Sequence, residues 1–112
     1  MKLKADLGDD VLIVSVQEAR LDAAVATPFK DAMRRTIEAG GATVLLDLGH
    51  VDFLDSSGLG ALIAVLKAMP PNRQLVLCGV QPNVWRVLRL TRMDSVFTIQ
   101  GEDAPPLRAG VA

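Results

Sequence analysis

The sequence predicts an α/β domain in which helices pack on a mixed β-sheet. Short runs of aliphatic and β-branched residues alternate with longer segments whose apolar residues recur every three or four positions. Such an alternation is typical of parallel strands joined by helical crossovers. The chain has 112 residues, of which 50% are hydrophobic and 4% aromatic, so we expect a single domain with an aliphatic core.

An N-terminal β-hairpin is predicted to open the domain. Residues 2–7 and 11–16 have strand-like patterns, and residues 8–10, Gly-Asp-Asp, are typical of a turn. A helix should follow, with Thr27 as its N-cap and Pro28 at its first position. Its predicted buried face consists of Phe29, Met33 and Ile37.

The rest of the chain is predicted to continue the order of strand and helix. Strands are expected at residues 44–48, 74–78 and about 96–99. One helix should begin near Ser57 and another at Pro82, with Trp85 partly buried. The predicted buried positions of these helices are Leu59, Leu62, Ile63, Leu66, Val84, Val87 and Leu88.

The composition of the chain ends predicts a flexible C-terminal tail and no signal peptide. Residues 101–112 are rich in Gly, Pro and Ala, so they are predicted to form a flexible tail behind a domain of residues 1–100. The N-terminal lysines are not followed by the apolar core of a signal peptide, and no apolar stretch reaches the roughly 18 residues of a membrane span. We therefore expect a cytoplasmic protein without membrane insertion.

The net charge and the cysteine count argue against nucleic-acid binding, an intrachain disulfide and a cysteine-based metal site. The formal net charge of −1 provides no field for nucleic acid, and no direct contact with nucleic acid is expected. Cys78 is the only cysteine, which excludes an intrachain disulfide and a cysteine-based metal site. Neither a metal nor another cofactor is predicted.

The most informative segment is Asp55-Ser56-Ser57-Gly58, which joins a predicted strand to a predicted helix. A helix N-terminus presents unpaired N–H groups and the positive end of a dipole, so it favours an anion. A serine there is either an ordinary N-cap or the carrier of a phosphate, and the local pattern leaves both open. Gly58 and Gly60 suggest a surface kept bare for another molecule.

The sequence motifs of several enzyme and signalling classes are absent. The G-x-S-x-G pattern of a serine hydrolase is absent because Leu54 stands at the first glycine position, and His50 is the only histidine. A phosphoacceptor receiver domain would need an acidic pair after its first strand, whereas Asp9 and Asp10 precede residues 11–16. No P-loop pattern occurs either. We therefore expect a binding protein with no catalytic residues.

The segment from Phe53 to Gly60, with the core Asp-Ser-Ser-Gly-Leu-Gly, closely resembles the signature of STAS domains, specifically of bacterial anti-sigma factor antagonists. The resemblance extends over nearly the whole chain and includes Leu21-Asp22 and the helix opened by Pro82. It implies a single α/β STAS domain with a mixed sheet and an N-terminal hairpin. In that family the protein is not an enzyme, so the resemblance implies a binding module.

The resemblance also implies a function for the serines. A family member binds an anti-sigma factor that is itself a serine kinase and thereby releases the sigma factor. The kinase phosphorylates the first serine of the motif, here Ser56, with Ser57 as the second candidate, and a serine phosphatase removes the phosphate. The residues implied for partner binding are Asp22, Asp55, Ser56, Ser57, Gly58 and Leu59.

One departure from the family pattern concerns residues 18–22. Family members often carry G-E-[LI]-D there, whereas this chain has Arg20 in place of the acid before Leu21-Asp22. STAS domains also serve as scaffolds in stress-signalling complexes and as small cytoplasmic subunits of lipid-transport systems, in which the serine need not act as a switch. The sequence leaves that alternative and the oligomeric state open.

Overall fold

The structure is a computed structural model and describes residues 1–100, and the tail predicted at 101–112 lies outside the described residues. Strands are numbered in chain order. The main sheet has the strand order β1-β2-β4-β6-β7, in which β1 pairs antiparallel with β2 and the other pairs are parallel. Its strands are β1 (Leu3–Gly8), β2 (Val11–Val16), β4 (Thr43–Asp47), β6 (Gln74–Cys78) and β7 (Thr98–Gln100). The predicted hairpin and mixed sheet are confirmed.

In residues 1–100 three helices pack against the sheet, α1 (Ala26–Ile37), α2 (Ser56–Ala68) and α3 (Pro82–Leu90), and a short 3-10 helix follows at Met93–Ser95. Alternate residues of the strands form rows that face these helices. One row consists of Leu12, Val44 and Leu75, and the next consists of Val14, Leu46 and Leu77, all of them buried. The alternation places the buried core on the helical face, as the period of two in a strand requires.

Helix α1 begins earlier than predicted, because its N-cap is Val25 and not Thr27. The carboxylate of Asp22 accepts a hydrogen bond from the N–H of Ala24, and its backbone carbonyl accepts one from the N–H of Val25. These two bonds turn the chain into the helix before it reaches Thr27, whose side chain is exposed within the first turn. The predicted Thr27 cap is therefore wrong.

Helix α3 begins at Pro82, as predicted, with Gln81 at the N-cap. Trp85 was predicted to be partly buried, but only 3% of its surface is exposed. It lies on the buried face of α3 together with Val84 and Leu88, so the helix contributes more to the core than the sequence pattern indicated.

Candidate functional site at the start of helix α2

A second, two-stranded parallel sheet brings two distant segments of the chain together. Strands β3 (Arg20–Leu21) and β5 (Phe53–Leu54) pair with Arg20 opposite Phe53 and Leu21 opposite Leu54. The two leucines are buried and the other two residues are exposed. This small sheet was not predicted, because a strand of two residues is too short to show a periodic pattern.

The side chain of Asp55 caps helix α2. Its Oδ1 accepts a hydrogen bond from the N–H of Gly58 at 2.9 Å, and its Oδ2 accepts one from the N–H of Ala23 at 3.3 Å. One carboxylate therefore satisfies a helix N-terminus and also holds the segment that leads into α1. The interpretation of a serine as the N-cap is wrong.

Ser56 and Ser57 are the first two residues of α2, and both are exposed. Within residues 1–100, neither hydroxyl takes part in a hydrogen bond with another residue. Because Asp55 carries out the capping, both hydroxyls face solvent at the positive end of the helix dipole. Both hydroxyl groups are thus accessible to another molecule.

Asp22 lies beside this helix start and is held by three neighbours. Its Oδ2 accepts a hydrogen bond from Arg20 Nε at 3.1 Å, and its Oδ1 accepts one from the N–H of Ala24. The hydrogen bond from Arg20 is the largest cause that holds the pKa of the Asp22 carboxyl below its ordinary value of 3.8, assisted by the backbone N–H groups of Ala24 and Val25 and opposed by desolvation.

Arg20 is fixed from two sides. Besides the ion pair with Asp22, its guanidinium lies over the ring of Phe53, 3.9 Å from the ring centroid. Neither Arg20 nor Phe53 was among the predicted site residues. The sequence did contain a signal: Arg20 lies two positions before Asp22, and Phe53 lies two positions before Asp55. In an extended segment, residues two positions apart are on the same face.

The two glycines of α2 differ in their surroundings. A Cβ atom on Gly58 would overlap the carbonyl oxygen of Leu21, whereas nothing lies within 4 Å of a Cβ on Gly60. The interpretation of a bare surface holds for Gly60 and is wrong for Gly58, which is buried against the β3 backbone. Leu59 is also buried, with 8% of its surface exposed.

The structure thus brings together Asp22, Asp55, Ser56 and Ser57 and turns Gly58 and Leu59 inward. Asp52, which is exposed, adds a further carboxylate just before β5, and its backbone N–H donates to the carbonyl of Ala19. The residues from 1 to 100 contain no group of three or more His, Cys, Asp or Glu side chains that could hold a metal ion. The site is an exposed hydroxyl pair on an acidic surface.

Comparison with known proteins identifies the fold family. The sequence pattern of the STAS domain matches residues 2–103. This chain belongs to the STAS domain family. Its relatives include BtrV of Bordetella bronchiseptica, provisionally named an anti-sigma factor antagonist, which is 31% identical over 100 residues that cover 88% of this chain and 85% of BtrV. The STAS resemblance stated from the motif is confirmed.

Further similar proteins carry names of the same class. The anti-sigma-B factor antagonist of Listeria monocytogenes is 27% identical over 81 residues, which cover 71% of each chain. The crystal structure of an anti-sigma factor antagonist from Mycobacterium paratuberculosis has the same fold, with a TM-score of 0.79 and 24% identity over 98% of this chain and 90% of that one. In the described part of this STAS domain, no helix has the length and apolar character needed to cross a membrane.

The first prediction concerns the two glycines of α2. We expect Gly58→Ala to lower the free energy of unfolding by roughly 3 kcal/mol or more, because the backbone of Leu21 cannot move away cheaply. Gly60→Ala should raise it by up to about 1 kcal/mol, since alanine favours the helix and meets no obstacle. Urea unfolding of both variants measures the difference. Equal effects of the two substitutions would contradict the close contact at Gly58.

The second prediction concerns the cap. Asp55→Ala should lower the free energy of unfolding by about 1–2 kcal/mol, because two backbone N–H groups lose their acceptor. Ser56→Ala should change it by less than about 0.5 kcal/mol, since the hydroxyl supports no contact of the fold. Thermal and urea unfolding provide the measurement. A larger loss in Ser56→Ala than in Asp55→Ala would show that the serine is the cap.

The third prediction concerns pH. Because the pKa of Asp22 is lowered in the folded state, its ionised form stabilises the fold at any pH above the ordinary value of 3.8, and this contribution is lost as the pH falls through the lowered pKa. The difference in unfolding free energy between the wild type and Asp22→Asn should therefore be constant above about pH 5 and shrink below about pH 4.

Urea unfolding at a series of pH values measures this difference. In a chain that already carries Arg20→Gln, the same Asp22→Asn substitution should have a smaller effect, because the largest cause of the pKa shift is gone. A difference that persists unchanged at pH 3 would rule out the charge of Asp22 as its source.

Proposed function

We propose that this STAS domain protein binds an anti-sigma factor that is a serine kinase, and that phosphorylation of Ser56 by this kinase switches the binding off. In the unphosphorylated state it would hold the anti-sigma factor and so release the sigma factor. A serine phosphatase would restore that state. ATP would belong to the kinase, and this chain would contribute a binding surface without catalysis, in the cytoplasm where sigma factors act.

The observation that carries the proposal is that Asp55 caps helix α2 while Ser56 is exposed. The motif of the family is complete, and the carboxylate of Asp55 alone caps the helix. Ser56 is therefore exposed at the first position of α2 with no role in holding the fold. A kinase could reach its hydroxyl without unfolding any element, which is what a phosphoacceptor requires.

A phosphate on Ser56 is compatible with the folded state. It would add about −1.5 to −2 charges at the positive end of the α2 dipole, where an anion is favoured. The capping bonds of Asp55 do not involve the Ser56 hydroxyl, so they would persist. We therefore expect the fold to be retained, with a change in surface charge as the main consequence.

The same phosphate would oppose binding of the partner. Asp22, Asp52 and Asp55 already surround the helix start, so a complementary partner would present positive charge or hydrogen-bond donors there. A bulky dianion in that contact must be desolvated and meets its acidic neighbours at close range. A cost of about 3 kcal/mol would weaken the complex by roughly a hundredfold.

The experiment is phosphopeptide mapping of the protein isolated from its native cells in growing and stressed states. We expect phosphate on Ser56, in an amount that changes with the state of the cells. The matched control variants are Ser56→Ala, which should abolish the phosphate, and Ser57→Ala, which should retain it. Phosphate on Ser57 alone would keep the mechanism and move the site by one residue.

The affinity for the kinase provides the second readout. Titration of the identified kinase with unphosphorylated protein and with protein carrying phosphoserine at position 56 should show the roughly hundredfold difference. Equal affinities would contradict the switch. Absence of phosphate in every state, with the protein present, would favour a constitutive scaffold or a small subunit of a lipid-transport or stress-signalling complex.

A further inference from the structure

Strand β1 forms one edge of the main sheet and has an unpaired side. Within residues 1–100 its only strand neighbour is β2, and all its residues except Leu3 are exposed, including Leu7 with 48% of its surface. An edge strand of six residues offers a row of free N–H and C=O groups to another strand. In the described residues no helix or loop is bonded along this side.

The pairing with β2 determines which backbone groups face outward. The N–H of Gln17 donates to the carbonyl of Lys2 at 2.9 Å, so the pair formed by residues 2 and 17 is a hydrogen-bonded one. Hydrogen-bonded and non-hydrogen-bonded pairs alternate along an antiparallel ladder. Lys4 and Asp6 therefore direct their backbone groups toward β2. The outward groups belong to Leu3, Ala5 and Leu7.

The side chains of β1 are self-complementary about Ala5. If two copies of β1 pair antiparallel with Ala5 opposite Ala5 of the partner subunit, Leu3 lies opposite Leu7 of the partner subunit. Lys4 then lies opposite Asp6 of the partner subunit, and the two-fold axis repeats both contacts. The leucine pairs lie on the helical face of the sheet, opposite the charged pairs. The contact would cover the exposed side chain of Leu7.

Neighbouring registers are unfavourable. A shift by one residue would set an outward-facing backbone group against one that faces β2. A shift by two residues restores the hydrogen bonds, but it places Lys4 opposite Lys4 of the partner subunit, or Asp6 opposite Asp6 of the partner subunit in the other direction. Like charges directly opposite each other are destabilising. Charged residues on an edge strand normally discourage pairing, and here they disfavour the two neighbouring registers that the backbone hydrogen bonds would otherwise allow.

We propose that β1 is a dimerisation edge, through which two copies of this chain join their five-stranded sheets into one continuous sheet with Ala5 at the two-fold axis. Leu3, Ala5 and Leu7 exchange backbone hydrogen bonds with the opposite strand, and the lysine–aspartate pairs fix the register. The edge shares no residue with the site at Ser56, so the proposal is independent of phosphorylation.

Because the proposed contact involves one six-residue strand from each copy, we expect it to be smaller than a standard protein interface and the dimer to form reversibly. Sedimentation of the full chain over a concentration series measures it, with an average mass that rises from 11.9 kDa toward twice that value. Lys4→Asp and Asp6→Lys each place like charges opposite one another and should weaken dimerisation about tenfold. The double exchange restores opposite charges and should return the dissociation constant to within about threefold of the wild type.

Lys2→Asp is the matched control, because it changes the charge equally at a position opposite Gly8 of the partner subunit, and it should leave the dissociation constant within about threefold of the wild type. Amide hydrogen exchange gives an independent readout. In concentrated solution the N–H groups of Leu3, Ala5 and Leu7 should become protected, whereas those of Lys4 and Asp6 are protected at every concentration. Circular dichroism checks that each variant is folded.

Two results would overturn the proposal. One is a folded chain that remains monomeric at a concentration of about 1 mM. The other is a dimer in which the amide hydrogens of Leu3, Ala5 and Leu7 are not protected and the double variant, Lys4→Asp with Asp6→Lys, dimerises as weakly as the single variants. Either result leaves the proposed switch at Ser56 untouched, because that switch is read from the phosphate and from kinase binding.

Discussion

The backbone at the start of α2 packs directly against the backbone of β3, and the geometry of the candidate site depends on this contact. The carbonyl of Leu21 accepts a hydrogen bond from the N–H of Asp55 and occupies the space that a side chain on Gly58 would need. The Asp55 carboxylate then bonds the N–H groups of Gly58 and Ala23. These contacts set where α2 begins and, together with the hydrogen bonds that Asp22 accepts from Ala24 and Val25, where α1 begins.

This arrangement assigns structural and exposed roles to different residues of one short motif. Asp55 caps the helix, Gly58 allows the close approach and Leu59 is buried, so the fold makes no demand on the hydroxyls of Ser56 and Ser57. A charge added at Ser56 would alter the surface and leave the contacts between the start of α2 and β3 in place. A binding switch needs this separation, because the signal must change recognition without the cost of unfolding.

The surface around the serines is not uniformly acidic. Arg20 neutralises part of it by pairing with Asp22, and the ring of Phe53 supports the guanidinium from below. A partner would therefore meet a cation and an aromatic ring beside the carboxylates, which is a more specific pattern than negative charge alone. The edge strand β1 shares no residue with the candidate site, so the proposed self-association and the proposed recognition at Ser56 would involve different residues.

Much of the fold could be predicted from local pattern. The hairpin, the strand at residues 74–78 and the helix opened by Pro82 each rest on signals within a few consecutive residues, and each is confirmed. The motif of residues 55–58 likewise indicated the STAS family. The sequence could not reveal the sheet of β3 and β5, because its strands have two residues each and are stabilised only by pairing across a gap of more than thirty residues.

By itself the sequence determined the order of the main-sheet strands and the three helices, the family and the candidate phosphoacceptor, since these depend on periodicity and on one contiguous motif. Only the tertiary structure decided which residue caps each helix, why Gly58 is a glycine and what Arg20 contacts. Each of these depends on a partner distant in sequence or on a backbone turn that several residue types allow. Local propensity ranks such alternatives within about 1 kcal/mol of one another, and contacts across the fold then choose between them.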